Sequence, residues 1–246
     1  MKAVMRNLKQ NFLGIILCLN LFSHTAIAAP LDDAKQAADH GNFAKAAEIY
    51  QALADQGEAK AQYNLGLMYF NGDGVKQDYN EAIRYYTLSS DQGFSEAQYA
   101  LAVIYFTGRF AKPDYEESFR LYRLAAEQGH LKSQLNLGTL YLKGEVVEQN
   151  YDEALKWLNM AAEKGYGEAQ FMLANMYLHG DGVPEDISHA YMWVALSLED
   201  KKHQTASKLE KRENSLDFLS VRMKPEELAK GKALVDECHS KQLVGC

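Results

Sequence analysis

The stretch Gly57–Ser90, GEAKAQYNLGLMYFNGDGVKQDYNEAIRYYTLSS, recurs along this chain of 246 residues. A shift of 36 residues lays the sequence on itself without a gap. Gly57, Gly93, Gly129 and Gly165 fall in register, as do Leu65, Leu101, Leu137 and Leu173. So do Tyr69, Tyr105, Tyr141 and Tyr177, and then Gly72, Gly108, Gly144 and Gly180. A fixed period of this length marks stacked supersecondary units, none of which can bury its apolar face alone.

Each copy reads as two helices. In the first, Ala61, Leu65 and Tyr69 recur every four residues and share one helical face. Gly66, with Ala102, Gly138 and Ala174 in the other copies, lets a neighbouring backbone approach that face. Gly72 and its equivalents suit the left-handed conformation that closes a helix. The second helix opens on Asp78 with Glu81, Asp114 with Glu117 and Asn150 with Glu153, a capping-box arrangement. The fourth copy has Asp186 with His189, which predicts a weaker cap.

The phrase Ala61-Gln62-Tyr63-Asn64-Leu65-Gly66-Leu67-Met68-Tyr69, then Gly72-Asp73-Gly74-Val75, Asp78, Ala82 and Gly93, resembles the Sel-one-like repeat, a relative of the tetratricopeptide repeat. The resemblance covers residues 58 to about 200 and implies an all-α fold: an α/α-solenoid, a right-handed superhelix of helix-turn-helix repeats. The second and third copies depart from it. They carry Arg109-Phe110-Ala111 and Glu145-Val146-Val147 where the first has Asp73-Gly74-Val75, so those loops need not share one conformation.

Residues 1–28 read as a secretory signal. Lys2, Arg6 and Lys9 precede an apolar run from Phe12 to Phe22, and Ala26-Ile27-Ala28 offers a cleavage site before Ala29. The alternative is an uncleaved amphipathic anchor. The run is short for a membrane span, no other stretch approaches the length of one, and bulky Leu17 before Cys18 argues against lipoprotein processing. The expected location is the periplasm or the secreted milieu, with no stable membrane insertion after cleavage. Residues 29–57 form a shorter hairpin resembling a plain tetratricopeptide unit that caps the N-terminus. Repeats occupy 58–93, 94–129, 130–165 and 166–201. Two closing helices are expected over 202–246, the second beginning at Pro225.

The formal charge is −7, from 26 basic and 33 acidic residues; loss of the leader would leave 23 basic against the same 33, or −10. That balance argues against nucleic acid and anionic lipid surfaces as partners. No phosphate loop, HExxH, CxxC or GxSxG motif is present, and no cofactor is implied. His179, Asp181 and His189 form the densest histidine group but lack a third clear metal ligand. Trp157 and Trp193 stand at the position of Tyr85 and Leu121 and read as packing residues. The tail ends in Cys238-x7-Cys246, which resembles the C-termini of secreted relatives; in an oxidising compartment the two cysteines are expected to pair.

One feature exceeds what internal packing requires. Opposite the Ala61, Leu65, Tyr69 face runs a second stripe: Tyr63, Leu67 and Phe70, then Tyr99, Val103 and Phe106, Leu135, Thr139 and Leu142, and Phe171, Asn175 and Leu178. A helix apolar on both sides is covered on both sides. Matched to the tetratricopeptide pattern, the stripe lies on the concave wall, which in that family binds peptides. Lys60, Glu96, Lys132 and Glu168 add charges of alternating sign, and Asn64 and Asn136 match a backbone-binding asparagine of some relatives. The other possibility is a solenoid wound tightly enough to bury both stripes. The resemblance implies a non-enzymatic adaptor for a protein or peptide partner. Its rival is a β-lactam-binding or -hydrolysing enzyme, as linked to cysteine-rich relatives, but no repeat here contains a cysteine.

Overall fold

The computed structural model describes residues 25–203 and 205–246. The leader up to residue 24 lies outside them, and with it the basic and apolar segments of the expected signal. Among the described residues there are twelve α-helices and no strand. They are α1 (Thr25–Asp39), α2 (Phe43–Asp55), α3 (Ala59–Asn71), α4 (Tyr79–Asp91), α5 (Ser95–Thr107) and α6 (Tyr115–Glu127). The chain continues through α7 (Leu131–Lys143), α8 (Tyr151–Ala162), α9 (Gly167–His179), α10 (Ile187–Ser197), α11 (Ala206–Arg222) and α12 (Pro225–Ser240). No described helix is long and apolar enough to cross a membrane.

The helix ends follow from the repeat's chemistry. Gly72, Gly108, Gly144 and Gly180 all sit at positive φ and stop the first helix of each copy. The chain then turns back, and the N–H of the residue heading the second helix donates to the tyrosine carbonyl near the end of the first. These bonds are Asp78 to Tyr69 (2.9 Å), Asp114 to Tyr105 (3.1 Å), Asn150 to Tyr141 (3.0 Å) and Asp186 to Tyr177 (3.0 Å). The bond also corrects the capping-box expectation. Asp78 Oδ1 does accept from the N–H groups of Asn80 and Glu81, but its own N–H is already taken, so Glu81 has nothing to reach back to. Glu81 turns outward to Arg84 at 2.7 Å, as Glu117 does to Arg120 (2.6 Å) and Glu153 to Lys156 (3.1 Å).

The fourth cap departs from expectation in the opposite direction and is stronger. Asp186 accepts from the N–H groups of Ser188 and His189, and its other oxygen meets His189 Nδ1 at 2.9 Å and Lys230 Nζ at 2.7 Å. Histidine at the glutamate position adds a partner to the cap rather than removing one.

The described residues up to Ala97 form one compact unit, and Gln98 to Cys246 form another. The first has a core of Ala34, Ala46, Tyr50, Leu53, Ala61, Leu65, Met68 and Tyr85. The second is centred on Leu158, Leu173, Met176, Met192, Trp193 and Leu196, all essentially without exposure. Trp157 and Trp193 are packing residues, 6% and 1% exposed. In the first unit α1 to α4 lie against one another in chain order, in the second α6 to α11 do so, and α12 returns to α10.

Glycine 66 shows why the first helix admits only a small residue there. A Cβ on it would stand 2.8 Å from the Tyr86 ring and 3.3 Å from the Ala82 carbonyl. The loop glycine Gly74 is under a stricter limit, at φ +71° with an added Cβ only 2.3 Å from the Phe43 carbonyl carbon. Phe110 and Val146 occupy that register in the second and third copies without positive φ, so those loops do differ. Gly74→Ala is expected to cost about 2 kcal/mol or more in urea unfolding, strain and backbone clash acting together. Gly57→Ala, at φ +86° with nothing within 4 Å, supplies the strain alone and is expected to cost less. Equal costs would contradict the contact with Phe43.

Candidate functional site

The second stripe is neither exposed nor fully buried. Tyr63, Asn64, Leu67, Phe70, Tyr99, Val103, Phe106, Asn136, Thr139, Phe171 and Asn175 are all half-buried, while Lys60 is exposed. By contrast Leu65, Leu137 and Leu173 on the packing face have no exposure at all. The two faces of the first helix are therefore in different environments, and the anchors are less exposed than open groove residues would be. Aromatic neighbours account for that. In the first unit Tyr63 lies 5.3 Å from Phe94 and 5.8 Å from Tyr86, and Phe70 meets Tyr79 edge-on at 5.3 Å.

In the second unit the stripe lines two clefts. The first, of about 330 Å³, is walled by Tyr99, Val103 and Phe106 of α5 and by Asn136, Thr139 and Lys143 of α7, with Tyr122 as its floor. Five of the residues singled out in the sequence thus converge there. Tyr99 lies tilted against His130 at 4.7 Å, and Phe106 is held between Tyr115 and Tyr122. Burial pushes the Tyr122 phenol well above its usual range and the nearby Tyr99 adds to that, against the Asn136 hydrogen bond. Tyr99 itself is raised by burial.

The second cleft is larger, about 570 Å³, and includes a wall the sequence reading missed. Phe171, Asn175 and Leu178 of α9 face Lys211, Asn214 and Phe218 of α11, over a floor of Val194 and Leu219. Helix α11 lies outside the 36-residue period, so nothing in the register placed it beside the stripe. Leu135 and Leu142 of α7 instead pack against the core of the last repeats. Asn175 is turned inward, donating to the Phe171 carbonyl at 2.9 Å.

The alternating charges do not all remain available. Glu168 is taken by Lys208 and by Arg212, 3.3 Å away. Arg212 is 2% exposed and donates to the Ser197 carbonyl at 2.8 Å. Beside it Asp200 accepts from Gly167 N–H (2.9 Å) and meets the His203 ring (3.0 Å). Burial alone would raise the Asp200 carboxyl; the Gly167 and His203 hydrogen bonds outweigh it and lower it. Asp186 follows the same order, with burial opposed and overcome by Lys230 and His189. Burial, helped by the charges of Glu168 and Asp200, pushes Tyr166 up to about 12.

The histidine group does not converge on a metal. His189 stacks on Tyr177 at 5.0 Å with its Nδ1 on Asp186, and His179 is exposed. Among the described residues no group of three or more His, Cys, Asp or Glu side chains is placed to hold an ion. At the C-terminus the chain turns through Gln242 and Leu243, both at positive φ, and Gly245 N–H donates to Glu163. This brings the Sγ atoms of Cys238 and Cys246 within bonding distance, with their Cα atoms 5.4 Å apart.

The profile of the Sel1 repeat matches residues 59–94, 95–130, 131–166 and 167–199. Two solved structures are similar over most of the chain. One is c5321, a protective antigen present in uropathogenic Escherichia coli strains and displaying an SLR fold, with 30% identity and a TM-score of 0.69. That match covers 81% of this chain but 41% of the antigen, so the chain spans less than half of that relative's length. The other is a Sel1 repeat protein from Oxalobacter formigenes, with 28% identity, a TM-score of 0.69 and coverage of 91% and 93%. A search of curated proteins finds no match.

The carboxylates at the end of the stack make stability depend on pH. Both Asp186 and Asp200 have folded pKa values below the unfolded one, so their stabilisation is complete above about pH 5 and is lost as pH falls further. Urea midpoints, followed by the fluorescence of Trp157 and Trp193, are expected to drop between pH 5 and pH 3. Asp186→Asn should lower stability at pH 6 and flatten that drop. An unchanged slope in the variant would contradict the assignment.

Proposed function

Because the chain belongs to the Sel1 repeat family, we propose that it is a non-enzymatic interaction scaffold taking a peptide or protein segment along the second stripe of its first helices. Sel1 repeats typically mediate protein interactions, which supplies the class of function. The observation that carries the site is the difference between the two faces of one helix. Ala61 and Leu65 with their equivalents are buried and the packing-face tyrosines half-buried, while the stripe opposite is half-buried along its length and in the second unit lines clefts large enough for side chains. Concave, mostly apolar surfaces with a few fixed polar groups are where ligands bind. Tyr99, Phe106 and Phe171 are the anchors, with Val103, Asn136, Thr139 and Asn175 beside them. In the first unit Lys60, Tyr63, Asn64, Leu67 and Phe70 form the corresponding stripe. The β-lactam reading gains nothing from the structure.

The location proposed is the periplasm or the secreted milieu, with export and cleavage after Ala28. There the Cys238–Cys246 pair is a disulfide that ties the tail beneath α12. The chain purified from its host is expected to begin at Ala29 and to take up alkylating reagent at two thiols only after reduction. A product starting at Met1 with three free thiols would overturn both statements.

The groove itself predicts a split between binding and stability. Tyr99→Ala and Phe106→Ala should cost about 1 kcal/mol of folding stability, since their rings are half-buried, and about 2 kcal/mol or more of partner affinity. Leu101→Ala and Leu137→Ala should cost about 2–5 kcal/mol of folding stability. Equal thermal destabilisation by both pairs, with no loss of binding specific to the first, would place the stripe in the core instead.

A further inference from the structure

The two cysteines of the tail stand in unlike surroundings. Cys238, on α12, is 2% exposed, belongs to the core of the second unit and has its Sγ 3.6 Å from Met192 Sδ. Cys246 is half-buried, on a segment whose Val244 and Gly245 are exposed. The noncovalent hold on that segment is slight. Leu243 packs against the core, where its Cδ1 would lie 3.8 Å from a Cβ added to Gly165. Gly245 N–H donates to Glu163 Oε1 at 3.0 Å in an exposed hydrogen bond, and Leu243 N–H donates to the Cys238 carbonyl at 2.9 Å. Against these contacts, Gln242 and Leu243 are consecutive residues at φ +53° and +68°. Side chains other than glycine's rarely adopt that conformation unless their surroundings impose it. The tail so held reaches from α12 to the turn between α8 and α9, where the third repeat passes to the fourth.

On the reading that Cys238 and Cys246 are disulfide-bonded, we propose that Cys246 is a site of thiol–disulfide exchange and that residues 241–246 are a strap that reduction releases. The reductant is a dithiol. Its thiolate attacks the less buried sulfur, that of Cys246, and the S–S bond breaks. The electron pair goes to Cys238 Sγ, which takes up a proton beside Met192 Sδ, a weak acceptor for the new S–H. The donor's second thiol then attacks the mixed disulfide and releases Cys246, which takes the second proton. Two electrons and two protons have passed to the protein, and the donor leaves as a disulfide. With the cross-link gone, Gln242 and Leu243 relax to negative φ, the tail leaves Glu163 and Gly165, and the turn between the third and fourth repeats is uncovered. Burial sets the order of attack, because Cys238 is enclosed while the strap is closed.

The test uses the purified oxidised protein, its disulfide checked by intact mass, and needs no variant to fold. Reduced glutathione is added under native conditions, the mixed disulfide is trapped early with acid, and the free thiol is alkylated before peptide mapping. Glutathione is expected on Cys246 about tenfold or more over Cys238, and the preference should vanish in urea. Dithiothreitol then reduces the protein fully, and hydrogen–deuterium exchange is compared between the two forms. Amides of residues 241–246 and of Glu163 to Gly165 should exchange about tenfold faster or more after reduction, with α5 and α7 unchanged. Glutathione shared equally between the two cysteines in native protein would overturn the directed exchange. Unchanged protection of residues 241–246 after reduction would overturn the strap. Both results would leave the disulfide standing, whereas free Cys238 and Cys246 thiols before any reductant would overturn the disulfide and the proposal together.

Discussion

The first, third and fourth repeats are each joined to the hairpin before them by a buried glutamine. Gln62 Nε2 donates to the Ala54 carbonyl at 3.3 Å, Gln134 to Ala126 at 3.1 Å and Gln170 to Ala162 at 3.1 Å. The acceptors lie in the last turn of the preceding helix, and the same carbonyls also accept from the N–H groups of Gly57, Gly129 and Gly165 in the turn that follows. A polar side chain so deeply placed must keep its bonds, because leaving a buried amide unsatisfied costs about 1–3 kcal/mol. The joint therefore fixes the register of one repeat on the next. With the packing face committed to that joint, the opposite stripe of the first helix is free to line clefts.

The same joint explains how the array ends. In the first two repeats a further glutamine completes it: Gln92 Nε2 donates to Gln62 Oε1 at 2.7 Å and Gln128 to Gln98 at 2.8 Å. The third copy has Lys164 in that register and the fourth has Asp200. Gln134 Oε1 and Gln170 Oε1 then find no hydrogen-bond partner among the described residues. Asp200 instead caps Gly167 N–H, and Arg212 fills the space beside a residue with no side chain of its own. An added Cβ on Gly167 would stand 2.8 Å from Arg212 Nη1 and 2.7 Å from the Ser197 carbonyl oxygen. The fourth repeat has exchanged the amide pair of its predecessors for an ionic seal under α11. That exchange marks where the period stops.

The sequence made the repeats legible because their signals are local and redundant: a helix-closing glycine, a capping aspartate and a fourfold leucine, each in the same register. It misled on Glu81, whose reach back to Asp78 was excluded by a backbone bond nine residues long in chain terms but short in space. Half of the candidate site was likewise readable, since Tyr99, Val103, Phe106, Asn136 and Thr139 repeat with the period and do converge. Phe218, Lys211 and Arg212 were not, because they lie on a helix with no homologous copy to set its facing. His189 shows the limit of pattern matching most plainly. It breaks the capping consensus, and only the position of Lys230 on α12 reveals that the cap gained strength.

The account stands on one claim, that the stripe on the first helices is a surface a partner occupies. Methyl NMR of the protein with a bound peptide reads this directly. Val103 and Leu178, which line the two clefts, should shift on binding, while Leu88, Leu124 and Leu155 on the second helices should not. Shifts confined to Leu88, Leu124 and Leu155 would put the partner on the other side of the molecule and contradict the claim.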